Sequence, residues 1–492
     1  MAPSNIQIPV KVLVHKQEER VLFAEANSDF VDILFSFLTM PMGTIVRLLS
    51  NQSDSSQPPA IGSFTNLYRS MSNLEPKYFA TQACRDVLLK TTNSAYAECR
   101  KLKINIDDIK PGFYICEDLN CSSNHLSFYR NVKCEKCSKF LNWIVCYSGS
   151  LLCHTTVGGQ GVFVSTTASF VITDDLCVNP NIPASTFAIL YNSGFTDFGA
   201  FEEKTFNIGF TEILDLLKYS FLSKTPLTAL FLGKNNVMRD KSVHTINRPV
   251  SIHGIDSFKK MTVKVLVQKS NNKILLAFSS KDFVDFLFNL LTIPLGRVIG
   301  LLSEFYAPAL CVENIYRSVS DLNVAEYFKS KEMRDMLLCP QLVMLHKWFS
   351  QLFPVKEEII QKFYLYKKYT PPGQCYYEPP YLTRNPSSAT RELKLASPLC
   401  DGVLLSGSTM FMLTDDLVVT PLSSMSCIKY LQSRNVSPID TEEHVIDVGM
   451  KEAVNLLRAS LLSNSVLTSG LKHLIQIKPK TERLMKKPKV EN

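Results

Sequence analysis

Two segments of this chain repeat each other. Residues 11–50 and 264–303 align without a gap, and 20 of the 40 aligned positions are identical. Both segments open with Lys-Val-Leu-Val, continue through DFVD-x-LF-x-x-LT-x-P-x-G and end in Leu-Leu-Ser. Because internal repeats constrain a fold strongly, we interpret the chain as a tandem duplication of one structural unit.

Each repeated segment predicts a β-hairpin followed by a helix. Two short apolar runs flank a polar turn, which is typical of a hairpin. Apolar residues then recur at helical spacing, namely Phe30, Ile33, Leu34, Phe37 and Leu38 in the first copy and Phe283, Phe286, Leu287, Leu290 and Leu291 in the second. Pro41 and Pro294 are expected to end or kink this helix, because proline cannot donate to the preceding turn.

Matching blocks continue to the end of each half. Residues 161–180 and 402–421 both place Thr-Asp-Asp-Leu between apolar runs, and residues 202–228 and 442–468 predict a strand, a glycine turn and a closing amphipathic helix. Since strands and helices do not alternate, the pattern predicts an α+β fold with antiparallel or mixed sheets. The predicted units are 1–233 (first repeat, with an insertion at about 112–147), 234–260 (linker), 261–477 (second repeat) and 478–492 (basic tail).

The insertion in the first repeat carries four cysteines with metal-ligand spacing: Cys116, Cys121, Cys134 and Cys137. A C-x2-C turn aims two thiolates at one ion, and a second pair completes the tetrahedral sulfur set that zinc favours. The first pair has the looser spacing C-x4-C, so His125 is an alternative to one thiol. Four protein ligands leave no position for a substrate water, so we expect structural zinc; a redox dithiol and unrelated free thiols are the other interpretations.

The second repeat cannot build the same centre. Phe363–Tyr366 aligns with Phe113–Cys116, which puts Tyr366 at the position of Cys116, and only Cys375 occurs nearby. The common fold must therefore stand without the metal. This favours a supporting or contact-forming role for the cysteines over a catalytic one.

Two polar groups recur in both repeats without a decisive chemical signature. The paired carboxylates Asp174/Asp175 and Asp415/Asp416 suit a divalent cation or acid–base catalysis, but also a tight turn, which we favour. The pairs Asn66/Asn314, Tyr68/Tyr316, Arg69/Arg317, Arg85/Arg334 and Asp86/Asp335 are candidates for a polar binding site or for ordinary helix-surface contacts. We favour the second interpretation, because mixed polar sets on helices are usually solvated or ion-paired.

Charge and composition limit the cellular compartments and the classes of binding partner that we expect for this chain. The formal net charge is +8, and the tail from Lys478 to Asn492 holds six basic against two acidic residues, so the remaining body is nearly neutral. The tail suits a nuclear-import patch or a patch that binds an anionic surface, but also a solvated, disordered end, which we favour. With no signal-peptide pattern and no apolar stretch of about 20 residues, we expect a soluble, intracellular protein, cytoplasmic or alternatively nuclear, with reduced cysteines.

The DFVD blocks, the TDDL blocks and the cysteine cluster together resemble the plant proteins grouped as domain of unknown function 674. The resemblance covers nearly the whole chain. It implies a two-copy plant protein without an established biochemical activity, and it provides no catalytic residues.

No nucleophile elbow, P-loop, Rossmann fingerprint, kinase signature or HExxH motif occurs in the sequence. We therefore expect a non-catalytic, zinc-stabilised scaffold that binds a protein partner. Two alternatives stay open. One is an enzyme with a cleft between the repeats that uses the TDD carboxylates. The other is nucleic-acid binding through the cysteine knuckle with Arg130, Lys133, Lys136 and Lys139.

Overall fold

The protein has a mixed α+β fold with several sheets. The computed structural model describes residues 6–51, 61–118, 120–147, 161–192, 194, 198–234, 260–342, 352–353, 363–366, 381–383, 387, 390–399 and 403–475. Apart from its two end residues, the predicted linker 234–260 lies outside the described residues, as does the predicted tail 478–492. Within the described part of the chain, no helix is long and apolar enough to cross a membrane.

The first half begins with the predicted hairpin and helix. Its strands are β1 (Ile8–His15), β2 (Arg20–Asn27), β3 (Tyr114–Cys116), β4 (His125–Leu126), β5 (Val132–Lys133), β6 (Phe140–Ile144), β7 (Cys146–Tyr147), β8 (Ser169–Thr173), β9 (Val178–Pro180) and β10 (Phe201–Ile208). Its α-helices are α1 (Ser28–Ser36), α2 (Met42–Asn51), α3 (Phe64–Asn73), α4 (Gln82–Leu89), α5 (Tyr96–Cys99), α6 (Pro183–Asn192), α7 (Phe210–Leu222) and α8 (Pro226–Leu232). Short 3-10 helices lie at Phe37–Thr39, Pro76–Tyr78 and Phe198–Ala200.

The second half follows a similar order of elements. Its strands are β11 (Met261–Gln268), β12 (Lys273–Ser279), β13 (Phe363–Tyr366), β14 (Tyr381–Thr383), β15 (Thr390–Leu395), β16 (Phe411–Thr414), β17 (Val419–Pro421) and β18 (Thr441–Val448). Its α-helices are α9 (Lys281–Asn289), α10 (Leu295–Ser303), α11 (Cys311–Asp321), α12 (Val324–Tyr327), α13 (Lys331–Leu338), α14 (Ser424–Ser433), α15 (Met450–Leu462) and α16 (Val466–Leu471). Short 3-10 helices lie at Leu290–Thr292, Pro438–Asp440 and Lys472–Leu474.

Each half contributes one antiparallel five-stranded sheet with the same strand order. The orders are β10-β1-β2-β8-β9 and β18-β11-β12-β16-β17. Along β1, Val10 and Val12 are buried while Lys11 between them is exposed, as expected for a strand with one face on the core. Helix α1 follows directly, and the Asn27 side chain accepts the Phe30 amide as an N-cap.

The Pro-x-Gly motif lies where the two halves meet. Around Pro41 and Pro294, the Met42 amide donates to the Ile293 carbonyl and the Leu295 amide donates to the Met40 carbonyl, each at 2.9 Å. Glycine is needed at this crossing, because a Cβ on Gly296 would lie 2.4 Å from the Leu337 carbonyl oxygen. The Pro-x-Gly motif that follows the first helix of each half therefore also joins the two halves.

Helices α3 and α11 each reach the other half's sheet. The Val178 amide on β9 donates to the Ser318 hydroxyl at 2.8 Å, and the Val419 amide on β17 donates to the Ser70 hydroxyl at 2.9 Å. The largest apolar cluster of buried residues contains side chains of both halves, among them Phe64 and Phe283. The two halves therefore pack as one body around a shared core.

A further sheet combines strands of both halves around the cysteine-bearing insertion. Strand β15 pairs in parallel with β4, and β14 pairs in parallel with β7, while β13 lies between β14 and β15. A bridge from Tyr114 to Ser127 and the β3–β6 pairing close these strands into a ring. Phe113, Phe128 and Phe363 are in mutual contact among its apolar side chains.

Candidate metal centre

The four predicted cysteines come together at one end of this ring. Cys116 ends β3, Cys121 lies in the following loop, and Cys134 and Cys137 lie in the turn between β5 and β6. Their sulfur atoms all lie within 4.8 Å of one another, with 3.4 Å between Cys116 and Cys137 and 3.9 Å between Cys121 and Cys134. A tetrahedral Zn–S distance of about 2.3 Å implies sulfur–sulfur separations of about 3.8 Å. The four thiols therefore fit an S4 metal site.

Backbone amides point at these sulfur atoms, as they do in metal knuckles. Cys134 accepts from the amides of Lys136 and Cys137, Cys116 from that of Asp118, and Cys121 from that of Ser123. Burial tends to raise the pKa of the Cys134 thiol, but bonds from the Ser123 side chain and these amides outweigh burial and lower the pKa to about 6. One thiolate is thus favoured at neutral pH, and the other thiols would release their protons on binding a metal.

The geometry brings all four cysteines into one group that could hold a metal. The sulfur–sulfur contacts of Cys134 and Cys137 run to Cys121 and Cys116, so the two predicted pairs meet. The four thiols meet without His125, whose Nδ1 lies 3.2 Å from the Ser123 hydroxyl and whose Nε2 lies 3.3 Å from the Glu135 carboxylate. His125 instead lies where it can brace the loop that holds Cys121.

The centre is embedded in the first half. Cys116 and Cys134 are buried in an apolar cluster with Ala83 and Val87 of α4. The Tyr129 hydroxyl accepts the Thr92 amide at 3.1 Å and so ties the insertion to the segment after α4. A metal bound here would hold the insertion to both halves, because β4 and β7 of the insertion pair with β15 and β14.

The second half has no matching centre among its described residues. Tyr366 ends β13, as Cys116 ends β3, and Cys375 lies outside the described residues. In the part of the chain that the structure describes, one group of three or more His, Cys, Asp or Glu side chains lies close enough together to hold a metal. That group consists of these four cysteines.

The comparisons with known proteins place the chain in a family. It matches the family described as Protein of unknown function (DUF674) over residues 4–445 and 382–491, two overlapping regions that together cover almost all of the sequence. The chain belongs to the DUF674 family. No curated protein and no solved structure matches it.

The first aspartate of each TDDL block in this DUF674 protein is a buried structural anchor. Asp174 accepts the Thr228 amide and the Thr228 hydroxyl, each at 2.8 Å, with Arg20 Nε at 3.3 Å. Asp415 accepts the same two groups of Thr468 at 2.8 and 2.9 Å. Burial raises the pKa of both carboxyl groups, and the threonine bonds partly oppose that rise. Each aspartate therefore ties a strand turn to the start of the last helix of its half.

The second aspartate of each block meets the polar set predicted on α3 and α11. The Asn314 side-chain amide donates to the Asp175 backbone carbonyl at 2.8 Å, and Asn66 donates to the Asp416 carbonyl at 3.0 Å. Leu176 and Leu417, which follow, have φ values of 68° and 61°, as a tight turn requires. The two recurring polar groups, predicted separately, thus form the two sides of one contact between the halves of the chain.

One of the two arginine pairs named above, Arg85/Arg334, makes the helix-end contacts expected of a structural role. Arg334 donates to the Val319 and Ser320 carbonyls at the end of α11, at 3.2 and 2.8 Å. Arg85 donates to the Ser72 carbonyl near the end of α3 at 3.3 Å. These carbonyls lack partners within their own helix, so the guanidinium groups stabilise helix ends.

One buried carboxylate in each half was not predicted from the sequence. Asp32 of the DFVD motif is 1% exposed and accepts the amides of Val162, Phe163 and Val164, the last two at 2.8 and 2.9 Å. Asp285 accepts the amides of Leu404 and Leu405 in the same way. The signal was present in the sequence, because an aspartate recurred at the same position among the apolar residues of two matching helices.

We expect the Asp32 carboxyl to make the protein less stable as pH rises. Burial outweighs the three amide bonds and raises its pKa from 3.8 to about 6. A raised folded-state pKa gives a stabilising contribution that is full below about pH 4 and lost as pH rises through about 6. Between pH 4 and 7, the wild type should lose about 2–3 kcal/mol more unfolding free energy than Asp32→Asn, as measured by urea unfolding. Parallel pH profiles would contradict this assignment.

Proposed function

We propose that this DUF674 protein is a non-catalytic interaction or scaffold protein built from two homologous repeats and stabilised by structural zinc. The observation that supports this most directly is the approach of four thiols to within 4.8 Å of one another. Cys116, Cys121, Cys134 and Cys137 would fill a tetrahedral coordination sphere and leave no position for a substrate. Zinc would supply cross-linking of the insertion, not reaction chemistry.

The need for such a cross-link follows from the insertion itself. Its strands β3 to β7 are two to five residues long, and its apolar clusters are small. Segments of this size rarely form a stable core, and natural small modules add metals or disulfides. Equal strand order in the two halves and the 20 identities in 40 positions support homology of the repeats.

The contacts of the carboxylates count against the enzyme alternative. Asp174 and Asp415 each accept two bonds from a threonine, and the second aspartates accept Asn314 and Asn66 from the other half. A carboxylate used in catalysis must reach a substrate proton or a metal. These four side chains are instead engaged in holding turns and the contact between the repeats.

The charge of the insertion counts against the nucleic-acid alternative. Between residues 112 and 147, four basic residues are opposed by Glu117, Asp118 and Glu135, and Zn²⁺ held by four thiolates would add two negative charges. Lys139 also pairs with Asp118 at 2.9 Å. Nucleic-acid binding depends on a local excess of basic charge. We propose a cytoplasmic location, with a nuclear one as the alternative if the tail 478–492 acts in import.

Metal analysis tests the zinc proposal. Protein purified without added metal is expected to contain about one zinc per chain by elemental mass spectrometry, whereas Cys134→Ser/Cys137→Ser should contain none. The double variant Cys146→Ser/Cys339→Ser is a matched control, since both of these cysteines are exposed and lie outside the cluster. Metal-free wild-type protein with an intact circular dichroism spectrum would refute the proposal.

A further inference from the structure

The face of β6 that points away from the candidate metal centre exposes two large aromatic side chains. Phe140 and Trp143 are each 40% exposed. Leu141, between them, is fully buried opposite Cys116 and Val132. Side chains alternate across a strand, and the register shift near Asn142 places Trp143 on the same face as Phe140. Phe140 and Trp143 therefore form a partly exposed aromatic strip on this face of β6.

Opposite charges flank this strip at the position of Phe140. Lys133 on β5 is the direct cross-strand partner of Phe140. On the other side, the Glu117 amide donates to the Phe140 carbonyl at 3.0 Å, so Glu117 lies beside Phe140 at the end of β3. Glu117, Phe140 and Lys133 thus form a row across the sheet, with neighbouring strands about 4.8 Å apart.

The two charges in this row are not ion-paired within the described part of the chain. The Glu117 carboxylate accepts the Phe140 amide at 3.4 Å, and both charged side chains are exposed. The neighbouring charged side chains, in contrast, have partners. Asp118 pairs with Lys139 at 2.9 Å, and Glu135 lies 3.3 Å from His125. Within the insertion, the row therefore presents a negative end, an aromatic centre and a positive end to solvent.

We propose that this face binds a second copy of the chain. A twofold axis parallel to β6 exchanges the two ends of the row, so Glu117 of each copy would face Lys133 of the other while the aromatic residues pack between them. The row is its own electrostatic complement in this orientation, which is what an isologous contact requires. The inference rests on the proposed interaction function and names its partner.

The exposed apolar side chain of Phe187 has no such flanking charges on its own helix. Phe187 on α6 is 63% exposed, and α6 contains no charged residue. Phe187 therefore provides a control for apolar exposure alone. A nucleic acid would be repelled by Glu117, and an unrelated protein would not require the two charges to match each other.

The test exchanges the charges in the full-length, zinc-loaded protein. Sedimentation over a wide concentration range should show a dimer for the wild type. Lys133→Glu and Glu117→Lys should each weaken the dimer by about tenfold or more, because like charges then face each other twice. The double variant Lys133→Glu/Glu117→Lys should restore most of the affinity. Phe140→Ser/Trp143→Ser should yield monomers, and Phe187→Ser should leave dimerisation unchanged.

Zinc content and circular dichroism of every variant separate misfolding from loss of contact. Wild-type monomers at all concentrations, with about one zinc per chain, would overturn the inference and leave the zinc proposal standing. A dimer that the double variant fails to restore would overturn the assignment of this face. Wild-type protein without zinc would refute the zinc proposal, whatever its oligomeric state.

Discussion

Replacing Asp32 with alanine is expected to lower the free energy of unfolding by about 3–5 kcal/mol. The change removes the acceptor of three backbone amides, those of Val162, Phe163 and Val164, in a site that is 1% exposed. Each buried donor left without a partner costs about 1–3 kcal/mol. Urea unfolding followed by circular dichroism gives the difference.

Asp29 provides a control on the same helix. Its carboxylate lies in the first turn of α1 beside Lys103 and is partly exposed. Asp29→Ala should therefore cost no more than about 1 kcal/mol. Equal losses of unfolding free energy for the two variants would show that Asp32 does not anchor the loop at residues 162–164. Any carboxylate on this helix would then contribute the same stability.

Removing the proposed zinc from the cysteine centre is expected to disturb strands that lie far away in sequence. Structural zinc contributes about 10–16 kcal/mol to the folding of small zinc modules. Here the insertion pairs with β14 and β15 of the second half, and the Ala396 amide donates to the Leu126 carbonyl at 2.7 Å. Chelation should raise amide hydrogen exchange in β13 and β15 by about tenfold or more.

Strands β11 and β12 serve as the internal reference for this measurement. They belong to the second half's own five-stranded sheet and have no pairing with the insertion. Their exchange should stay unchanged within error when the metal is removed. Increased exchange confined to residues 112–147 would show that the insertion folds independently of the second half. Increased exchange throughout the chain would show general unfolding instead.

Sequence reasoning reached the elements whose signal is local. The hairpin and helix of each half follow from apolar spacing within a few residues, and they correspond to β1, β2 and α1 in the first half and to β11, β12 and α9 in the second. The cysteines were recognisable because C-x2-C is a local spacing. Helix ends were less well placed, since the predicted helix that included Phe37 and Leu38 ends as an α-helix at Ser36 and continues as a 3-10 helix at Phe37–Thr39.

The contacts that could not be predicted from the sequence are those between segments that lie far apart along the chain. Asn66 and Asp416 are separated by 350 positions, and neither residue type identifies the other as its partner. The pairing of β4 with β15 also leaves no signal in the sequence, because parallel pairs of two residues have no sequence pattern of their own. The role of Asp32 could not be predicted, because its three amide donors come from a loop about 130 residues later.

The exchange of contacts between the halves has a consequence for synthesis on the ribosome. Helix α3 is translated long before β17, the strand whose Val419 amide donates to the Ser70 hydroxyl of α3. Strand β4 is likewise translated long before its partner β15. Chains that depend on such distant contacts fold slowly and expose apolar surface in the meantime. The first half should therefore leave the ribosome incomplete, reach its final packing only after the second half has emerged, and rely on chaperones during the delay.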